Sequence, residues 1–198
     1  MRRRTPPSHI DLDDRAFLRQ FTVDDADALA QTVAESLEHL RPWMPWAADG
    51  ESADPQFQRG RLTRLAEQNE RREEWQYGLF TTDDARILGS FGLMTRRGPG
   101  TIEIGYFLHP SAVGHGHATR ATAALTEVGR RLRGVQHVLI FCDAANVRSA
   151  AIPRRLGFTL LRTEARAVEA PAESGTTLVW EWPRRARATA LHRSEPGG

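Results

Sequence analysis

The stretch from Ile102 to Phe158 constrains this chain most. It reads as an apolar strand, a glycine-rich turn (Gly114-His115-Gly116-His117-Ala118), an amphipathic helix, a short all-apolar strand and a second helix ending at Leu156-Gly157-Phe158. A strand that runs into closely spaced glycines and then a helix leaves a cup of backbone N–H groups at the positive end of the helix dipole. Such a cup binds phosphate. The short strand Val138–Phe141 is apolar throughout, which suits a buried parallel position.

Hydrophobic periodicity arranges the rest around this segment. Ala16–Phe21 reads as a first strand. Asp24 or Asp25 caps a helix that places Leu29, Val33, Leu37 and Leu40 at helical spacing; Pro42 and Pro45 end it in a loop with Trp43, Met44 and Trp46. A second helix is expected from about Pro55 to Arg72. Strands follow over 75–81, 86–95 and 101–108, separated by turn signals at Asp83-Asp84 and Arg97-Gly98-Pro99-Gly100. The helix over 117–132 puts Ala121, Leu125, Val128 and Leu132 on one face. A helix over Asn146–Leu156 and strands near 158–168 and 176–182 complete a mixed α/β sheet. Pro153 cannot donate to the carbonyl of residue 149, so a kink is expected in that last helix. Trp180 and Trp182 share a face of the final strand, as core or as dimer contacts. Residues 1–9 read as a flexible basic arm, 10–182 as a single domain and 183–198 as a disordered basic tail.

Composition excludes several classes. No segment approaches the ~20 apolar residues of a membrane span, and the N-terminus lacks the apolar run of a secretory signal. The single cysteine, Cys142, permits no intramolecular disulfide, and a cytoplasmic location is expected. At the end of an apolar strand it reads as a small buried filler rather than a nucleophile. The net charge is +2, but each terminal segment carries +3, which leaves the body near −4. A mildly acidic body suits a cationic amine or peptide acceptor better than nucleic acid, and short terminal arginine clusters are usually solvated.

Four motifs, in order, carry a resemblance: Leu-Arg-Pro-Trp-Met-Pro-Trp at 40–46, Glu-Ile-Gly-Tyr at 103–106, Gly-x-Gly-x-Ala at 114–118, and Asn-x-x-Ser followed by Gly-Phe over 146–158. Together they resemble the GNAT acyltransferases, in the branch of the ribosomal-protein N-terminal acetyltransferases RimJ and RimL, over roughly residues 9–182. The resemblance implies a GNAT-like α/β fold: a mixed, mostly antiparallel sheet with a splayed parallel strand pair, flanked by helices. It implies acetyl-CoA as cosubstrate. The acceptor is an amine, first of all a protein or peptide α-amino group, attacked directly in a ternary complex, since no nucleophile is placed for an acyl-enzyme. A small-molecule amine, or a non-catalytic acyl-CoA-binding protein, are the alternatives. Dimerisation is common in that branch.

Site residues follow motif by motif. The cup formed by Gly114, His115, Gly116, His117, Ala118 and Thr119 is expected to hold the coenzyme pyrophosphate. The family usually has Gln or Arg three residues before the first glycine, where this chain has Ser111. His115 and His117 without neighbouring carboxylates make a poor metal site, and no metal is expected. By resemblance, Phe107 and Leu108 offer backbone groups at the strand edge, with an N–H at a bulge as oxyanion donor, and Asn146 contacts the pantetheine arm, capping being its other role. Glu103 is the expected general base, a lone carboxylate among apolar neighbours whose pKa would be raised. Ser149 is the expected hydrogen-bond or proton donor to the departing thiolate. Trp43 and Trp46 are expected to border the acceptor. Tyr77, with Trp75, leads a strand toward the same cleft and is a further candidate there, core packing being the favoured reading.

Overall fold

The computed structural model describes residues 4–13 and 15–183. Its centre is an eight-stranded sheet built from β1 (His9–Asp11), β2 (Ala16–Gln20), β3 (Glu74–Thr81), β4 (Ile87–Met94), β5 (Thr101–Leu108), β6 (His137–Asp143), β7 (Thr159–Ala165) and β8 (Thr176–Glu181). The spatial order is β1-β2-β3-β4-β5-β6-β8-β7. All neighbours run antiparallel except β5 and β6. Helices α1 (Ala26–Leu40) and α2 (Pro55–Glu70) precede β3; α3 (His117–Arg131) crosses from β5 to β6, and α4 (Val147–Leu156) links β6 to β7. No helix among the described residues is long and apolar enough to cross a membrane.

Strand alternation divides the core between the two sheet faces. On one side Tyr77, Phe91, Ile102 and Ile104 pack with Ala121 and Leu125 of α3. On the other, Leu29 and Val33 of α1 and Leu62 and Leu65 of α2 close over Phe80 and Ile87. Each such Leu, Ile, Val or Phe side chain, fully buried, contributes about 1.5–3 kcal/mol of transfer free energy. Helix α2 starts where its sequence predicts, because the Asp54 carboxylate accepts from the N–H groups of Gln56 and Phe57 and Pro55 occupies the first helical position.

The parallel pairing of β5 with β6 covers only Thr101–Ile104 against His137–Ile140. Beyond it β5 continues to pair with β4 as far as Leu108, while β6 continues with β8 as far as Asp143. The two strands therefore splay, each leaving one edge without ladder partners. The β4–β5 register is continuous through this region. The parting thus comes from loss of the β6 partner, and the bulge expected at Phe107 is absent.

The basic-arm reading of residues 1–9 needs revision. Pro6 is buried, the Pro7 carbonyl accepts from the Tyr77 hydroxyl at 2.7 Å, and His9 begins β1. The apolar Ile10 and Leu12 then pack on the core and hold this edge down. Residues 1–3 and, apart from Pro183, the expected tail lie outside the described residues.

Candidate active site

One cavity of about 640 Å³ threads the gap between the splayed strands. It is lined from the α1–α2 face by Trp43, Trp46 and Arg61, from the sheet by Glu103, Gly105 and Phe107, and from the opposite face by Cys142, Asn146 and Ser149. Gly105 faces Gly92 across the β4–β5 ladder, so the floor carries no side chain there. A Cβ added to Gly105 would stand 3.0 Å from the Met94 methyl group. Trp46, 42% exposed, packs at 5.6 Å on Phe107 and forms the outer lip.

Glu103 lies on this floor and is 4% exposed. It is not a lone carboxylate. Arg96 Nε reaches Oε2 at 3.0 Å and Arg96 Nη2 reaches Oε1 at 2.5 Å, while Arg97 Nε reaches Oε2 at 2.6 Å. Burial raises its pKa, but hydrogen bonds and charge from the two guanidiniums outweigh that and hold it below the usual glutamate value. This corrects the expected raised pKa. Arg97 also lies 3.9 Å over the Phe141 ring, which ties the β4–β5 hairpin to β6 beside the splay. The signal was present in the register: Met94 stands opposite Glu103, so Arg96 and Arg97 emerge next to it.

Across the gap, Asn146 caps α4 by accepting from the Ser149 N–H at 3.0 Å. Pro153, inside this helix, cannot donate to the Ser149 carbonyl. The Tyr106 hydroxyl takes the missing donor's place: it lies 3.3 Å from the Ser149 carbonyl and 3.4 Å from Ser149 Oγ. Burial pushes the Tyr106 pKa well up, so it remains a neutral donor. Alternation puts Tyr106 on the face opposite Glu103, which is why sequence reasoning passed over it. The splay lets it line the same cavity. Burial likewise pushes the nearby Cys142 thiol up, as a structural filler would require.

The glycine turn forms as expected. Gly114 and Gly116 hold φ of 88° and 77°, and the 3-10 turn at 110–112 leads into them. The N–H groups of Gly114 through Thr119 find no hydrogen-bond acceptor among the described residues, while the Arg120 N–H closes the first helical turn on Gly116. A cup of unpartnered donors in front of α3, a helix of four turns, fits a phosphate-bearing coenzyme. The turn lies outside the cavity lining. It adjoins α4, where Arg155 donates to Thr119 Oγ1 at 2.9 Å. From Arg155 back to Ser149 is about 9 Å of helix. His117 is buried against Arg120, and burial followed by that charge lowers its pKa, whereas His115 is exposed. Ser111 bonds His109 at 2.8 Å, which in turn meets Glu35 of α1 at 3.0 Å; it is committed to holding the end of β5.

Tyr77 does not reach the cleft. It is fully buried on the α3 face and bonded to Pro7 and Gln20, and burial pushes its pKa up to about 12. On β3 it is Glu74 and Gln76, three residues and one residue before Tyr77 and on the opposite face, that line the cavity. Leu108 also lies outside the lining, although Phe107 belongs to it.

A family model described as an acetyltransferase (GNAT) domain matches residues 15–159. The chain is 27% identical over 147 residues to the [ribosomal protein uS5]-alanine N-acetyltransferase of Escherichia coli (strain K12), covering 73% of this chain and 75% of that protein. It is 29% identical over 143 residues to the probable N-acetyltransferase YjcK of Bacillus subtilis (strain 168), covering 71% and 74%. Among solved structures, RimL, a ribosomal L7/L12 alpha-N-protein acetyltransferase in complex with coenzyme A, superposes with a TM-score of 0.77 at 21% identity, over 88% of this chain and 97% of that one. The microcin C7 self immunity acetyltransferase MccE, in complex with acetyl-CoA and AMP, gives 0.78 at 20% identity, over 90% and 98%. At these identities the structural likeness is one of fold.

Proposed function

The chain belongs to the GNAT acetyltransferase family and is an acetyl-CoA-dependent N-acetyltransferase of RimJ/RimL-like type; beyond this we propose that it acetylates the α-amino group of a protein or peptide by direct attack in a ternary complex. The observation that carries the proposal is the cavity through the β5–β6 splay, which brings Glu103 and Ser149, from opposite sheet faces, to one channel. Support for a peptide acceptor comes from the relatives named for ribosomal-protein N-termini and from the aromatic lip at Trp43 and Trp46.

Acetyl-CoA supplies the thioester. The N–H groups at 114–119 hold its phosphates, and Asn146 holds the pantetheine arm with an amide nitrogen left free by the cap. The unpaired edge of β5 at Phe107 offers backbone groups to the acyl end. Attack forms the C–N bond and breaks the C–S bond; one proton leaves nitrogen and the sulfur leaves as thiolate. Ser149 donates a hydrogen bond to that sulfur, with Tyr106 fixing Ser149 from behind. Glu103 takes the nitrogen proton through water. A weakly basic carboxylate suffices, because the attacking nitrogen becomes strongly acidic once bonded to carbon, and a free α-amino group, with a pKa near ~8, is already partly neutral.

Thiol release from acetyl-CoA, followed against short peptides with varied N-terminal residues and against small amines, tests this. Peptide turnover that falls in Ser149→Ala and Glu103→Gln supports it. Turnover of small amines alone overturns the acceptor and leaves the chemistry standing.

A further inference from the structure

The cavity contains a cation that makes no ion pair within 4 Å among the described residues. Arg61, on α2, lines the acceptor side of the channel and is half-buried. It donates a long hydrogen bond, 3.4 Å, to Gln58 Oε1 and makes no ion pair within 4 Å among the described residues. Burial lowers its pKa, Glu74 opposes that and Arg64 adds to it. A guanidinium held this way retains its charge and presents a planar fork of donors.

The neighbouring charges define what would pair with it. Arg96 and Arg97 are engaged by Glu103. Glu74, also in the lining, accepts from Gln76 Nε2 at 2.7 Å. Across the lining Arg61, Arg96, Arg97 and Arg166 equal Glu74, Glu103, Asp143 and Glu173 in number, but Arg61 alone of these arginines makes no ion pair within 4 Å among the described residues. On the far wall Asp143 accepts from Ala145 and Ser174, and Glu173 from Glu169 and Ala170, and neither makes an ion pair with Arg61. A monoanionic carboxylate matches the one lining arginine left without an ion pair.

We infer that Arg61 is a specificity residue that recognises a carboxylate carried by the acceptor close to its reacting amine. This deepens, and rests on, the acyl-transfer reading of the same cavity. The carboxylate has two sources: an acidic side chain at the first positions of a peptide, or the α-carboxylate of a free amino acid. Both present the same planar anion to the same fork.

The test is acetyl-CoA turnover by the full chain with paired acceptors differing only in charge: peptides with Asp or Asn at the first or second position and a blocked C-terminus, and free amino acids against their amides. The acidic member of one pair is expected to exceed its neutral isostere by about tenfold or more in kcat/KM. In Arg61→Gln that ratio collapses to within about threefold, mainly through KM, and Arg61→Lys restores part of it. Whichever pair discriminates identifies the source. Equal turnover of both members of every pair by the unaltered protein overturns the inference and leaves the transfer reading intact. Discrimination that persists in Arg61→Gln removes it from Arg61. Coenzyme binding without turnover of any amine overturns both.

Discussion

At the residue scale, the site is governed by how two polar groups are satisfied. Glu103 is a buried carboxylate held ionised by Arg96 and Arg97, whose side chains are 61% and 39% exposed. Its folded pKa lies below the ordinary value of 4.5, so its stabilising contribution is full above that value and is lost as pH falls through the depressed one. Glu103→Gln should cost about 1–3 kcal/mol at neutral pH, less at acid pH, because the arginines can rehydrate; urea titrations at pH 7 and pH 4 check this. Tyr106 is the other case. Tyr106→Phe should lower kcat about 3–10-fold with little change in coenzyme KM, since it removes only the support behind Ser149, while Ser149→Ala costs more. Equal KM shifts in both variants would mean that the pair binds coenzyme rather than assisting departure of sulfur. Glu103 was legible from its motif, but its environment was not, because pKa depends on side chains brought by a hairpin register.

At the element scale, most boundaries could be read directly. Capping at Asp54 and Asn146 and the glycines around 114–116 are local chemistry, visible in a dozen residues. The missing donor at Pro153 was legible too, but not its recipient, since Tyr106 lies 43 positions from Ser149 in sequence. Pro153→Ala should restore the N–H to the Ser149 carbonyl and compete with Tyr106. The expected outcome is an unchanged or higher melting temperature together with a kcat lowered a few-fold. In the phosphate cup, a Cβ on Gly114 meets nothing within 4 Å, so Gly114→Ala carries only the strain of its positive φ, about 1–2 kcal/mol. Acetyl-CoA KM should rise while acceptor KM stays constant, as a two-substrate titration would reveal. Tyr77 is buried as its favoured core reading had it, and its candidacy for the cleft fails for an element-scale reason: strand alternation assigns it a face only once β2 and β4 are known to flank β3.

At the scale of the molecule, one sheet carries both proposed binding regions, with the glycine-turn cup and the channel joined along α4. Coenzyme that occupies the unpaired edges binds only the folded form. At 100 times its dissociation constant it should therefore add about 2.7 kcal/mol to stability, which thermal melts with and without coenzyme A measure. The acceptor side depends on α2 and β3 meeting across the sheet, which explains why Arg61 carried no sequence signal while the coenzyme side carried several. The Tyr106–Ser149 contact has a mechanical consequence. A helix that borrows a rung from a strand cannot slide along its own axis without the sheet, so α4 acts as the fixed jaw of the channel.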